Sequence, residues 1–304
     1  MFASVFKESP LVLTDGAIET RVVYEFHRDL TGFEVFTLLG DAEGREILWT
    51  IYSTYARIAA KFDVPMQLGT PTWRASRNWT ADVAEVNAQA VALVREAASS
   101  TGARAIVAGV IGPSSDGFDP SGALSAEDAV EYHREQGSAL ASAGVDLLFA
   151  PTFPAIGELH GVARAMSETK FPFAVAPMLH GDGTMMDGTT LAAAISRMDN
   201  DSAARPWHYM LGCLYPTHAA TALESLFRSA PALAHRVVGL KANGSDLPAE
   251  SLDGSPTLQT TAPDKFARDA WDCAQNFGLH VLGGCCGTDT VHIEALAQLA
   301  TSKF

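Results

Sequence analysis

The chain has 304 residues, of which 47% are hydrophobic and 18% are charged, and its formal net charge is −14. This composition supports a large buried core, while the negative charge disfavours nucleic acid and anionic membrane surfaces as partners. No segment approaches about 18 consecutive apolar residues, so we expect neither a membrane span nor a membrane partner.

Short apolar segments alternate with helical patterns along the whole chain, which is typical of repeated βα units around a parallel sheet. We predict strands over residues 11–16, 65–70, 103–112, 145–151, 171–178, 208–215, 236–243 and 280–286. Eight such units fit a (β/α)₈ TIM barrel, which needs about 250 residues. The sequence therefore predicts one barrel domain over residues 1–304.

Two connections between the predicted strands are longer than a barrel needs. We expect two helices in residues 17–64, because apolar side chains recur there at helical spacing. These side chains are Ile47, Ile51, Tyr55, Ile58 and Phe62. The second connection, 244–263, is polar and follows the seventh strand. It is either a loop that shapes an active site or a disordered segment.

Cysteines mark the predicted catalytic end of the barrel. In a (β/α)₈ barrel the residues at the carboxyl ends of the strands surround the active site. Cys213 lies in the last residues of strand six, Cys285 and Cys286 end strand eight between glycines, and Cys273 lies in a helical segment. Three thiolates around Zn²⁺ leave one tetrahedral position open, which a substrate thiol can occupy. Core packing and a redox switch are the alternatives.

The number of cysteines also indicates the cellular compartment in which we expect the protein. Four cysteines in a chain of this length do not form a disulfide framework, and the initial residues MFASVFKESP lack the pattern of a secretory signal. We therefore expect a cytoplasmic protein in which clustered cysteines bind metal or take part in catalysis. The sequence also allows a homo-oligomer.

Four segments together resemble the homocysteine S-methyltransferase family. Residues 283–288 (GGCCGT) are similar to its carboxyl-terminal signature, and residues 213–216 (CLYP) to its strand-six motif. Residues 14–17 (TDGA) and 109–113 (GVIGP) are similar to its first-strand and third-strand motifs. With weaker matches between them, the resemblance covers essentially the whole chain. It implies a barrel in which Cys213, Cys285 and Cys286 bind Zn²⁺ and carry the catalysis.

One family motif is altered at the end of strand four. Family members usually have Glu-Thr-x-Pro there, and that glutamate binds the amino group of homocysteine together with the aspartate of the first motif. Residues 151–154 read PTFP instead. Losing one carboxylate partner weakens the binding of an ammonium group by about 2–4 kcal/mol. We therefore favour a thiol other than homocysteine, or a different methyl donor.

The resemblance and its departures suggest four substrate-binding residues. Asp15 occupies the position of the first-motif aspartate, and Thr152 and Asn243 lie in the loops after strands four and seven. Glu19 stands where the family usually has a small residue and is a candidate for the missing charge. The alternative for Glu19 is a solvated loop acid.

These residues predict a zinc-dependent S-methyltransferase that moves a methyl group from a sulfonium or ammonium donor to a zinc-bound small thiol. The expected partners are a thiol acceptor and a methyl donor. We expect no attached corrinoid or folate domain, so the donor is small or a partner protein delivers the methyl group. The alternatives are a carbon–carbon lyase, with Lys241 as a Schiff-base residue rather than an ion-paired one, and a non-catalytic zinc barrel that binds a thiol or a partner.

Overall fold

The chain folds into a closed barrel of eight parallel strands in a computed structural model that describes residues 5, 6, 8–248, 252 and 255–303. Each strand pairs with its neighbours in sequence, and the last strand pairs with the first. The strands are β1 (Val12–Thr14), β2 (Met66–Gly69), β3 (Ala105–Val110), β4 (Leu147–Phe153), β5 (Phe173–Pro177), β6 (His208–Gly212), β7 (Val237–Ala242) and β8 (Val281–Gly284). The predicted (β/α)₈ fold is confirmed.

Helices surround this barrel. They are α1 (Glu19–Tyr24), α2 (Ala42–Phe62), α3 (Val83–Ser99), α4 (Ala126–Ser142), α5 (Ile156–Glu168), α6 (Leu191–Asp199), α7 (Pro216–Ser229), α8 (Pro231–Ala234), α9 (Pro263–Phe277) and α10 (Thr290–Thr301). The connection 17–64 contains α1 and α2, as predicted. Within the described part of the chain, no helix has the length and apolar character that crossing a membrane requires.

The apolar core has two layers because successive side chains of a strand point to opposite faces. Ile106 and Ala108 of β3 point into the barrel, whereas Val107 between them packs under the helices. The buried residues inside the barrel are Val12, Ile106, Ala108, Leu147, Phe149, Ala174, Ala176, Met210 and Val281. This filled interior leaves the catalytic chemistry to the carboxyl ends of the strands.

The last helix begins directly after the cysteine pair. Asp289 caps α10, with its carboxylate accepting from the backbone N–H groups of Val291 and His292. Ile293 and Leu296 of this helix are fully buried. The cap and the apolar face together fix the point at which the loop of the cysteine pair ends.

Candidate metal centre and substrate cavity

Three cysteines from two distant parts of the chain meet at the carboxyl end of the barrel. Cys213 follows β6, and Cys285 and Cys286 follow β8. Their sulfur atoms all lie within 4.8 Å of one another, and the Sγ atoms of Cys213 and Cys285 are 3.3 Å apart. Cys273 is buried in α9 and does not belong to this group. The structure thus brings together the three residues that the sequence predicts as ligands.

The cysteines lie just beyond the strands rather than within them. We predicted strands through residues 215 and 286, but β6 ends at Gly212 and β8 at Gly284. The reason at β6 is the backbone of Cys213, which has φ 57° and lies in the left-handed region that few non-glycine residues adopt. Such backbone conformations cluster at functional sites. No local sequence signal predicts this turn.

Glycines before the cysteine pair permit close backbone contacts. A Cβ atom at Gly283 would overlap Thr14, and a Cβ atom at Gly284 would overlap Thr288. The close approach at these two glycines is to the neighbouring strand and loop. Gly287, which follows the pair, has φ +76° and continues the turn in a conformation that favours glycine. The cysteine pair is therefore held on a closely packed turn.

The sulfur positions fit a zinc ion. Tetrahedral Zn²⁺ with Zn–S bonds of about 2.3 Å separates its sulfur ligands by about 3.8 Å, which falls between the 3.3 Å and 4.8 Å of this cluster. Hydrogen bonding with the Cys213 and Cys286 thiols and the nearby charge of Lys241 hold the pKa of Cys285 well below its usual range. Three soft sulfur donors with one position free suit a catalytic Zn²⁺.

A cavity of about 510 Å³ opens beside the three cysteines. Its wall is largely apolar and aromatic, and includes Tyr24, Phe33, Trp73, Phe118, Phe149 and Met178. The connection after β7 contributes Leu252, Ser255, Thr257, Leu258 and Gln259, although residues 249–251, 253 and 254 lie outside the described part of the chain. This loop therefore shapes the cavity, which has a volume typical of small-molecule sites.

Asp15 and Lys241 form an ion pair in the cavity. Asp15 is 2% exposed. Its Oδ1 atom contacts Lys241 Nζ, and its Oδ2 atom accepts from Gly69 N at 2.7 Å. Burial raises the pKa of Asp15, and the Lys241 and Gly69 contacts oppose this effect. Lys241 Nζ also donates to the backbone oxygen of Asp15 at 2.9 Å. Lys241 is thus ion-paired with the aspartate that follows the first strand.

Glu19 lies in the cavity wall. It is the first residue of α1 and is partly buried. Burial raises the pKa of Glu19 to about 7, its own backbone N–H opposes this effect, and the negative charge of Cys285 adds to it. The structure therefore places Glu19 beside the cysteines and not in a solvated loop.

Thr152 and Trp73 join two sides of the cavity. Thr152 has φ 63°, at a point where the pairing of β4 with β5 shifts register. Its hydroxyl donates to Pro151 O at 2.7 Å and accepts from Trp73 Nε1 at 2.9 Å. The guanidinium of Arg74 lies 4.1 Å from the centre of a Trp73 ring. We did not predict Trp73 as a site residue. The sequence signal for it is its position as an aromatic residue shortly after the second strand.

Asn243 supports the cysteine cluster from the end of β7. Its side-chain Nδ2 lies 3.6 Å from Cys213 Sγ, and its Oδ1 accepts from Ser245 N at 3.0 Å. The residue is 3% exposed and lines the cavity. The side-chain amide of Asn243 contacts both Cys213 and the loop. Asn243 therefore orients Cys213, a candidate zinc ligand, and also borders the cavity.

A buried glutamate outside the predicted site holds one wall of the cavity. Glu158 of α5 is fully buried and accepts from Ser114 N at 2.7 Å and Leu124 N at 3.2 Å. Its Oε1 atom is also 3.0 Å from His133 Nε2. Burial raises the pKa of Glu158, but these hydrogen bonds outweigh it and the pKa lies below its usual range. Glu158 thereby ties down both ends of the segment that carries Phe118.

Comparisons with known proteins agree with this geometry. The family model described as homocysteine S-methyltransferase matches residues 12–300. A homocysteine S-methyltransferase of Bacillus subtilis is 26% identical over 204 residues, which cover 65% of this chain and 62% of that protein. An S-methylmethionine–homocysteine S-methyltransferase of Mus musculus is 27% identical over 239 residues, covering 70% of this chain and 59% of that protein. The chain thus covers less than two thirds of each relative's length.

Solved structures show the same fold. The oxidised form of the homocysteine methyltransferase MmuM of Escherichia coli has a TM-score of 0.79 and 20% identity, over 98% of this chain and 99% of that one. Its metallated form has a TM-score of 0.76 and 20% identity, over 97% of this chain and 98% of that one. Since the family model spans nearly all of the barrel, this chain belongs to the homocysteine S-methyltransferase family.

Proposed function

We propose that this chain is a zinc-dependent S-methyltransferase that transfers a methyl group from a sulfonium or ammonium donor to the sulfur of a small thiol. The observation that carries the proposal is the convergence of three cysteine sulfurs beside a cavity of about 510 Å³. Family membership supports the reaction class. When bound, Zn²⁺ would hold an acceptor sulfur at its open position and lower the pKa of that thiol.

The three cysteines would hold the metal and keep the acceptor sulfur electron-rich. Cys213, Cys285 and Cys286 contribute three negative charges against the two positive charges of the ion, and Asn243 donates to the first of them. A site with net negative charge withdraws less electron density from an acceptor sulfur than a neutral site does. The acceptor sulfur therefore remains a nucleophile.

The cavity wall suits a cationic methyl donor. A cation binds favourably over aromatic faces, and Tyr24, Phe33, Trp73 and Phe118 line the cavity. In the transfer, the acceptor sulfur forms a bond to the methyl carbon while the donor's bond to that carbon breaks. The electron pair of the broken bond stays on the donor, which becomes neutral. Because opposite charges disappear together, a cavity with little water favours the step.

The substrate assignments follow from the wall of the cavity. We infer that Glu19 faces the cationic donor and that Thr152 borders the acceptor. Pro151, which also lines the cavity, brings no carboxylate to the end of β4. A thiol other than homocysteine is therefore the favoured acceptor. The free cysteines support a reducing compartment such as the cytoplasm.

Turnover of small thiols tests the proposal. Zinc-loaded protein should methylate at least one thiol of a panel when S-methylmethionine or glycine betaine is the donor, with the product detected by mass spectrometry. Borohydride trapping with carbonyl substrates should leave Lys241 unmodified, since this residue is ion-paired. A protein that binds zinc and thiols but methylates none of them would instead be a non-catalytic barrel.

The Glu19→Gln variant should lose a step in the pH profile. The Glu19 carboxylate forms as pH rises through about 7 and then attracts a cationic donor. The ratio of wild-type to variant kcat/KM for S-methylmethionine should rise with pH by up to about tenfold. This change corresponds to about 1.4 kcal/mol of electrostatic attraction. Profiles from pH 5.5 to 8.5 measure this ratio. Glu43→Gln, at an exposed glutamate, should keep the wild-type profile, and a pH-independent ratio for Glu19→Gln would remove the assigned role.

A further inference from the structure

Both oxygens of the Asp15 carboxylate already have partners within the protein. One of its oxygens contacts the ammonium group of Lys241, and the other accepts from Gly69 N at 2.7 Å. The residue is 2% exposed and lines the cavity. A substrate ammonium group would have to displace Lys241 to pair with Asp15, so this aspartate is not an open counter-ion.

Lys241 retains the capacity to bind a substrate. Its ammonium group has three N–H donors, of which two contact Asp15 O and Oδ1. Among the described residues, no acceptor is found for the third. The side chain is 18% exposed and lines the same cavity as the cysteine sulfurs. Lys241 therefore offers one hydrogen bond and a positive charge to a ligand beside the cluster.

Two other polar residues that the structure describes in the cavity wall do not replace the blocked carboxylate. At the end of β4, the hydroxyl of Thr152 is engaged by Trp73 and by Pro151 O. Among the described residues of the cavity wall, Glu19 is the other carboxylate, and we assigned it to the cationic donor. An ammonium group on the acceptor would face the positive charge of Lys241. The repulsion between these like charges lowers the affinity for such a ligand.

Resting on the proposed function, we propose that Lys241 makes the acceptor site specific for thiols that bear a carboxylate or another oxygen acceptor and carry no ammonium group. Lys241 donates its third N–H to that oxygen and blocks access to Asp15. It is a specificity-determining residue that acts by direct contact with the acceptor and by neutralising the neighbouring carboxylate.

Two thiols that differ only in the amino group test this specificity. Homocysteine and 4-mercaptobutanoate are titrated separately into zinc-loaded protein by calorimetry. They are also titrated into Co²⁺-substituted protein, whose sulfur-to-metal absorption reports thiol ligation. Wild-type protein should bind 4-mercaptobutanoate at least about tenfold more tightly. Tighter or equal binding of homocysteine would overturn the proposal.

Variants separate the charge of Lys241 from its packing. Lys241→Met frees Asp15, so the preference should shift toward homocysteine by about tenfold or more. The Asp15→Asn and Lys241→Met double variant leaves no unpaired charge, so it should bind the two thiols about equally. If the single variant does not fold, the double variant provides the test. Lys265→Met, at a lysine that pairs with Asp269, is the matched control and should keep the wild-type preference. An unchanged preference in both Lys241 variants would overturn the proposal.

These binding measurements do not depend on turnover. If the protein methylates no thiol with any donor, the proposed function fails, while the affinity ratio still tests the role of Lys241. If the protein methylates thiols but prefers homocysteine, the proposed function stands and the role of Lys241 is refuted.

Discussion

Replacing Cys285 with serine should abolish zinc binding and methyl transfer together. A serine hydroxyl stays protonated near neutral pH, so the site would keep two thiolates where a catalytic zinc needs three protein ligands. Zinc content should fall well below one ion per chain. Turnover should fall by at least about 1,000-fold, because the activation of a nucleophile by a metal contributes several kcal/mol. Metal analysis and single-turnover assays measure the two losses.

The fourth cysteine of the chain supplies a matched control. Cys273 is buried in α9 and lies outside the sulfur cluster. Cys273→Ser introduces the same chemical change in the core, so it should cost about 1 kcal/mol of stability and leave the zinc content intact. A Cys285→Ser protein with full zinc content and wild-type turnover would contradict the assignment of the ligands.

Replacing Glu158 with alanine should destabilise the protein by about 3–5 kcal/mol. The change removes a buried carboxylate and leaves the N–H groups of Ser114 and Leu124, together with His133, without their acceptor. The melting temperature should fall by roughly 5–10 °C. Because these bonds hold the segment with Phe118, KM for the methyl donor should also rise. Calorimetry and steady-state kinetics measure the two effects.

The loss at Glu158 should depend on pH in one direction. Its pKa is lowered from the ordinary value of 4.5 in the folded protein, so its stabilisation is present above about pH 4.5 and is lost as pH falls through the lower folded value. The wild-type and Glu158→Ala proteins should therefore differ more at pH 7 than at pH 3.5.

An exposed glutamate on the same helix serves as the control for Glu158. Glu168→Ala breaks a surface pair with Arg134 in which both side chains are about half exposed, and it should cost less than about 1 kcal/mol. Equal losses for the two variants would show that the bonds of Glu158 do not hold the wall of the cavity.

The fold and the sulfur cluster were predictable for different reasons. The strands are buried on both faces and read as continuous apolar runs, such as 103–112, so the sequence shows them directly. The cluster depends on residues 72 positions apart in the chain, and it is predictable only through motifs at the ends of strands six and eight.

What sequence reasoning missed depends on long-range contacts and backbone conformation. Asp15 and Lys241 are 226 positions apart, and no local pattern indicates that they pair across the barrel. Likewise, nothing in the residue types of Cys213 or Thr152 indicates a left-handed backbone, since that conformation is imposed by the surrounding packing. The residue type of Glu158 does not indicate its bonds to the segment 114–124 either, since Ser114 and Leu124 are 44 and 34 positions away.

Zinc K-edge X-ray absorption, measured before and after adding an acceptor thiol, most directly tests whether three cysteine sulfurs share one zinc ion with an open position. The resting protein should show three sulfur ligands at about 2.3 Å and one lighter ligand. Addition of a thiol that is methylated should raise the sulfur count to four. Fewer than three sulfur ligands at rest, or no gain on adding such a thiol, would contradict the account.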